Sequence, residues 1–380
     1  MRVDVRPKLL RWARERAELD IDTLISRFPK LQAWESGEVR PTLRQLEGFA
    51  AATHTPIGYL FLPAPPTERI PIPDFRTAAH RRRGRPSPDL LDTIYLCQQR
   101  QDWYRDFART TGEPSLTFVG SARPSDGIVE TAARIRQALG FDVEERHHLP
   151  TWTDALRQFI DQADALGILV MVSGVVGSNN RRKLDPQEFR GFALADDLAP
   201  LVFVNGADTK AAQMFTLAHE IAHIWLGQSA VSDAEPGMTP SHDIERWADQ
   251  VAAELLVPKD VFQRDYQPGP SLRDDLDRLA RRFKVSTLVI LRRMHDVGRL
   301  EGNDYWAAYQ AELERLQALP RGTGGNFYLT LGARASKRFA RALVASTLEG
   351  RSSFTEAFRL LGFKKMATFR ELGQNLGLIV

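Results

Sequence analysis

Within Thr216-Leu217-Ala218-His219-Glu220-Ile221-Ala222-His223, two histidines stand four residues apart with a glutamate directly after the first. On a helix of about 3.6 residues per turn, positions i and i+4 share a face, so His219 and His223 can offer imidazole nitrogens to one ion at about 2.0–2.1 Å. Glu220 falls one step around the helix, beside such an ion rather than on it. From there it can take a proton from a water that the ion activates and later pass it to a leaving amine, the acid/base half of metal-assisted hydrolysis. The competing reading is two solvent-facing histidines on an amphipathic helix, because His-Glu-x-x-His also arises by chance.

The elements around the motif favour the first reading. Residues 211–226 hold no Pro or Gly, Phe215, Ala218, Ala222 and Trp225 recur at helical spacing, and Gly227 stands where a helix C-cap is expected. Upstream, residues 200–205 read as a buried strand, with Gly206-Ala207-Asp208 turning into the helix. A second helix is expected from Ile244 to the stop at Pro258. Catalytic zinc wants three protein ligands and an open position. Glu245 and Asp249 share a face of that second helix, so Glu245 can supply the third ligand while Asp249 holds the outer nitrogen of a ligand histidine. Charged residues are usually solvated, and as ordinary surface acids this pair would need no metal; an otherwise apolar helix following the first motif favours the ligand role.

His219-Glu220-x-x-His223 followed by Glu245-x-x-x-Asp249 resembles the gluzincin arrangement. The phrase Glu245-Arg246-Trp247-Ala248-Asp249, continuing through Ala252-Ala253-Glu254-Leu255-Leu256-Val257-Pro258, resembles the ImmA/IrrE family of metallo-endopeptidases. Leu62-Pro63 through Ile72-Pro73-Asp74-Phe75-Arg76-Thr77 is similar to the linker of members that carry an amino-terminal Xre-type helix-turn-helix. The resemblance spans about residues 1–300. It implies an intracellular zinc protease with His219, His223 and Glu245 as ligands and Glu220 as base, whose relatives cleave a DNA-binding repressor and so switch on genes. It does not carry a substrate over.

Composition fits a multidomain cytoplasmic chain. At 380 residues it can bury two or three cores, and its one cysteine, Cys97, excludes an internal disulfide or a cysteine zinc cluster. Met1-Arg2-Val3-Asp4-Val5-Arg6 lacks an apolar signal core, and no run approaches about 18 apolar residues, so no membrane partner is expected. Net charge is +3, but residues 320–380 hold ten basic and three acidic side chains, 10 − 3 = +7. A basic carboxy-terminal domain suits nucleic acid or an acidic protein, and a solvated helical surface equally.

The expected fold is α+β and predominantly helical: a helical, Xre-like domain over 1–66, a Pro/Arg-rich linker over 67–87, a metallopeptidase domain over 88–320 with a small sheet beside two metal-binding helices, and a basic helical domain over 321–380. Strand candidates are 167–172, 189–194 and 201–204, and either of the first two could be an edge that pairs with an extended peptide. Residues 272–294 have helix-turn-helix spacing and are made basic by residues such as Arg281, Arg282, Lys284, Arg292 and Arg293, yet the family resemblance implies that they pack against the catalytic domain. The run His80-Arg81-Arg82-Arg83-Gly84-Arg85 reads as solvated linker or a phosphate contact, and Gly322-Thr323-Gly324-Gly325 as a joint. His242, Tyr266 and His295 are the candidates to stabilise a tetrahedral oxyanion by hydrogen bonding.

Three functions compete: a zinc endopeptidase whose substrate is a repressor or the product of an adjacent gene; a DNA-binding transcriptional regulator or antitoxin-like protein that uses the zinc fold as sensor or scaffold; and a binder of a neighbouring toxin. The Xre-like stretch Leu31-Gln32-Ala33-Trp34-Glu35-Ser36-Gly37 is preceded by Phe28-Pro29-Lys30, where the start of a reading helix belongs, and is about four residues short. Residues 1–60 carry ten basic and eight acidic side chains, 10 − 8 = +2. Weak DNA binding and protein recognition both fit. Residues 1–66 are therefore expected to bind duplex DNA no tighter than about micromolar with a shallow salt dependence, whereas specific sites are commonly held at about 10⁻⁸–10⁻¹¹ M. Titration at two salt concentrations decides it, and a nanomolar, sequence-selective complex would promote the transcription-factor reading.

Overall fold

The structure, a computed structural model, describes residues 2–76, 85–232, 242–318 and 334–378. The chain divides into two units, one holding Met1–Pro71 and Arg83–Asp92, the other Ile72–Arg82 and Thr93–Val380. The boundary lies inside the Pro-rich segment. Most of the histidine and arginine run at 80–85 and the glycine run at 322–325 lie outside the described residues.

The first unit is built on α1 (Pro7–Arg16), α2 (Ile21–Ile25), α3 (Leu31–Ser36), α4 (Leu43–Ala52) and a 3₁₀ turn at Ile57–Phe61. Thr42 starts α4 with a capping box: its hydroxyl accepts from the Gln45 N–H while the Gln45 side chain accepts from Thr42. Helices α2 and α3 have five and six residues, too short to stand alone. They are held from inside by Phe28, Trp34 and Phe49, whose ring centroids lie 5.8–6.5 Å apart. Trp34 is 2% exposed, which makes it a core residue. Arg14 clamps both oxygens of Glu35 at 2.8 and 3.1 Å, and Arg16 both oxygens of Glu68 at 2.8 and 2.6 Å.

The long helix α5 (Pro88–Thr111) leads into the second unit, followed by α6 (Ile128–Leu139), α7 (Val143–His147) and α8 (Trp152–Leu166). A four-stranded mixed sheet follows, in the order β1 (Leu169–Ser173), β3 (Leu201–Asn205), β2 (Gly191–Leu194), β4 (Ala230–Ser232). β1 runs parallel to β3, and the other pairings are antiparallel. Every residue of the four strands is buried, which accounts for continuous apolar runs rather than alternation. Val170, Val172, Ala193, Val202 and Val204 join the core that holds α9 (Lys210–Leu226), while Met171 meets Cys97 and Arg100 of α5. Residues 189–194 do not form the expected edge: β2 lies between β3 and β4, and the outer strands are β1 and β4.

Downstream, α10 (Asp243–Leu256) packs along α9, and α11 (Lys259–Asp265), α12 (Leu272–Phe283), α13 (Thr287–Asp296) and α14 (Gly302–Ala318) continue the helical layer. The segment with helix-turn-helix spacing is α12–α13. Its second helix is buried along Thr287, Leu288, Val289, Ile290, Leu291, Arg293 and Met294, and Arg293 pairs with buried Glu254 of α10 at 3.1 Å. The first turn of that helix, Thr287–Leu291, where a reading helix would present side chains to bases, is inside the fold.

The carboxy-terminal helices α15 (Lys337–Leu348), α16 (Phe354–Leu361) and α17 (Met366–Asn375) are tied to the rest of the second unit by buried polar contacts. Arg100 donates to the carbonyls of Leu360 and Arg334 at 2.9 and 2.8 Å. Asp164 accepts from Ser336 Oγ at 2.7 Å and from the Lys337 N–H at 3.1 Å. Lys337 and Arg338 also pair with Asp161 and Glu113, so part of the basic excess serves this seam.

Two outcomes are expected. Trp34→Ala should cost about 3–5 kcal/mol and remove the unfolding transition of the first unit. Burial pushes the Asp164 carboxyl up to about 6, against hydrogen bonds that favour its charged form. A raised folded value means that the native state holds the proton more tightly, so this group's contribution is full below its unfolded value of about 3.9 and is lost as pH rises through about 6. Denaturation of the full chain between pH 4 and 7 should show that slope, and Asp164→Ala should lack it.

Candidate metal centre

Helix α9 starts at Thr209, whose hydroxyl accepts from the Ala212 N–H, and ends at Gly227 in the left-handed conformation (φ 67°). Any side chain at Gly227 would meet Gly120, since a Cβ there lies 2.9 Å from Gly120 Cα. That close approach lets the N–H groups of Gly120 and Ala122 satisfy the Ile224 and Trp225 carbonyls at the helix end, at 3.2 and 2.9 Å. Between its ends α9 is buried on all sides from Gln213 to Trp225. His219, Glu220 and His223 have no exposed surface, which rules out solvent-facing histidines.

His219 Nε2 and His223 Nε2 lie 3.1 Å apart. Glu245, 3% exposed on the first turn of α10, brings Oε1 to 3.0 Å from His223 Nε2 and Oε2 to 3.3 Å from His219 Nε2. Four-coordinate zinc with bonds of about 2.0–2.1 Å places its ligand atoms about 3.3–3.4 Å apart. His219, His223 and Glu245 are all buried and each offers a ligand atom within 4.8 Å of the other two, an arrangement compatible with one ion. Asp249, one turn further along α10, accepts from His219 Nδ1 at 2.8 Å. That bond sets the tautomer and leaves the Nε2 lone pair pointing into the cluster.

Glu220 is held differently. Its Oε1 accepts a hydrogen bond from Ser232 of β4, and its Oε2 has no hydrogen-bond partner among the described residues. Ser232 faces Gly191 across the β2–β4 pair. A Cβ at Gly191 would lie 2.9 Å from Glu220 Oε1 and 2.6 Å from Thr216 Cγ2, so the carboxylate has its place because residue 191 has no side chain. Burial pushes Glu220 up to about 7, against the opposing charges of His219 and His223 and the Ser232 hydrogen bond. Burial would raise Glu245 as well, but the neighbouring histidines outweigh it and hold this carboxyl well below the usual range.

The structure brings together His219, Glu220, His223, Glu245 and Asp249. Of the three oxyanion candidates, His242 is linked to this site through Phe75. It caps α10 by accepting from the Ile244 N–H, and its ring stacks on Phe75, which in turn stacks on His223. Tyr266 instead stacks on Phe262 beneath Arg299. His295 stacks on Tyr305, with Nδ1 at 2.9 Å from the Leu300 carbonyl oxygen. Sequence reasoning missed Ser232, Gly191 and Phe75. Of these, Phe75 alone carried a signal, as part of the Pro-Asp-Phe-Arg linker.

A family model for the IrrE N-terminal-like domain, peptidase M78, matches residues 163–295, and a model of a domain of unknown function, DUF8813, matches residues 335–375. The first match contains both metal motifs and α12–α13. It supports the ImmA/IrrE resemblance and a metallopeptidase-like function. Comparison with curated proteins gives no match.

Metal analysis of purified protein is expected to return about one ion per chain. His219→Ala, His223→Ala or Glu245→Ala should lose most of it, and Asp249→Ala should weaken binding by about 10- to 100-fold in a chelator competition. Unchanged metal in the Glu245 variant would assign the third ligand elsewhere.

Proposed function

We propose that this protein is a zinc-dependent endopeptidase. The observation that carries the reading is the convergence of His219, His223 and Glu245 with a buried, half-satisfied carboxylate, Glu220, one residue from the first ligand. Zinc bound there supplies a Lewis acid that polarises a peptide carbonyl and makes water acidic at neutral pH.

The protein's own groups do the rest. Ser232 fixes one oxygen of Glu220, leaving Oε2 to receive a proton from the attacking water and then deliver it to the departing amine. Asp249 keeps His219 in the ligating tautomer. A sensor or scaffold has no use for a base placed this way, which favours the enzyme over a DNA-binding regulator that merely holds zinc.

For the target we propose a cytoplasmic regulatory protein, either a DNA-binding repressor or the product of an adjacent gene, on the strength of the ImmA/IrrE resemblance. No helix among the described residues is long and apolar enough to cross a membrane.

Glu220→Gln should keep its zinc and lose cleavage, because the amide is nearly isosteric but cannot take the proton; removing a general base slows a reaction by about 10²- to 10⁴-fold. Zinc-loaded wild type and variant are incubated with candidate repressors and neighbouring gene products, and fragments are read by mass. Equal fragment yields from the two proteins would remove Glu220 from the mechanism.

A further inference from the structure

One edge of the sheet is already covered by an extended segment from the linker. β4 pairs inward with β2, and the main chain of Val231 faces outward. Its N–H donates to the Pro73 carbonyl at 2.9 Å, and its carbonyl accepts the Phe75 N–H at 3.0 Å, forming a parallel bridge between Asp74 and Val231. The next residue of β4 is Ser232, which holds Glu220. The Phe75 ring stacks on His242 at 4.5 Å between centroids and lies 6.2 Å from the ring of His223. Three consecutive linker residues thus cover the strand beside the base and the face of a candidate metal ligand.

The segment is clamped as well as paired. Arg76 is 5% exposed; its Nε and Nη2 donate to the two Asp74 oxygens at 2.9 and 3.0 Å, and its Nη1 donates to the Glu188 carbonyl at 3.2 Å. A sheet edge whose N–H and C=O point outward is where an extended peptide adds by main-chain pairing, with side-chain pockets giving selectivity.

The geometry points to the outward edge of β4 as the main-chain docking site of the cleaved peptide, with the His242 face taking an aromatic side chain, and to residues 73–75 as an occupant in cis that must leave before a substrate enters. The assignment of a cleaved peptide rests on the endopeptidase reading; the docking edge itself is tested without it. A segment tethered in the same chain competes at an effective concentration on the order of millimolar, so a peptide in trans is largely excluded while the strap is seated.

The test uses the full chain carrying Glu220→Gln, so that no bond is cut. The probe is a fluorescein-labelled peptide of the sequence of residues 70–77, Ile-Pro-Ile-Pro-Asp-Phe-Arg-Thr, read by fluorescence anisotropy. Arg76→Ala removes the clamp, and Phe75→Ala removes the stacking while leaving the clamp in place. Each opened form should bind the probe at least tenfold more tightly than the chain with its strap intact. The same peptide N-methylated at the phenylalanine nitrogen should lose at least tenfold, since it cannot donate to Val231. If Arg76→Ala fails to fold, by its melting curve, Phe75→Ala carries the comparison. Equal affinity for closed and opened chains, no binding to a folded opened chain, or undiminished binding of the N-methyl peptide overturns the proposal. Because no arm depends on cleavage, a failure of Glu220-dependent proteolysis would sink the enzyme reading and leave the docking edge standing.

Discussion

Taking a charge out of water costs several kcal/mol unless it is paired, and this fold places His219, Glu220, His223 and Glu245 in its interior, with Asp249 against them at 12% exposure. Three carboxyl groups around two imidazoles form a stable set only if protons or a cation balance them. The surrounding structure follows from that demand. Helix α9 carries three of the five and is buried along thirteen consecutive residues, so it needs a layer on every side. The sheet, α10 and the loop around Gly120 provide those layers, and each contributes to the polar set: Ser232 from the sheet, Glu245 and Asp249 from α10, and helix-end N–H donors from the loop.

The same demand explains α13. Basic composition and helix-turn-helix spacing suggest a surface that meets DNA, but Arg293 is buried and paired with the equally buried Glu254 of α10. A buried ion pair of this kind adds little net stability, yet removing one partner leaves a bare charge and costs several kcal/mol. It therefore fixes how α13 sits on the helix that carries Glu245. The unit at the amino terminus has a different solution, with short helices organised around an aromatic trio and braced by the Arg14–Glu35 and Arg16–Glu68 pairs.

Both motif helices were legible in the sequence because their evidence is local: i, i+4 spacing, a Gly stop after Leu226 and a Pro stop at 258 are properties of a few neighbouring residues. The strands at 201–204 and 167–172 were legible as apolar runs. What was hidden is long-range. A three-residue strand such as β4 is too short for periodicity to register, and Ser232 gains its role from pairing with Gly191, forty-one residues earlier (232 − 191). The run at 189–194 looked like an edge because a strand buried on both faces has no alternation to show its neighbours. Tyr266 and His295 were attractive by chemistry and chain position, but each is committed to an aromatic partner of its own.

If the buried cluster holds one ion, zinc-edge X-ray absorption on the zinc-loaded full chain should show a four-coordinate ion with nitrogen and oxygen neighbours at about 2.0–2.1 Å, including the outer-shell scattering of two imidazole rings. A sulfur neighbour at about 2.3 Å, or a first shell without imidazole scattering, would contradict it.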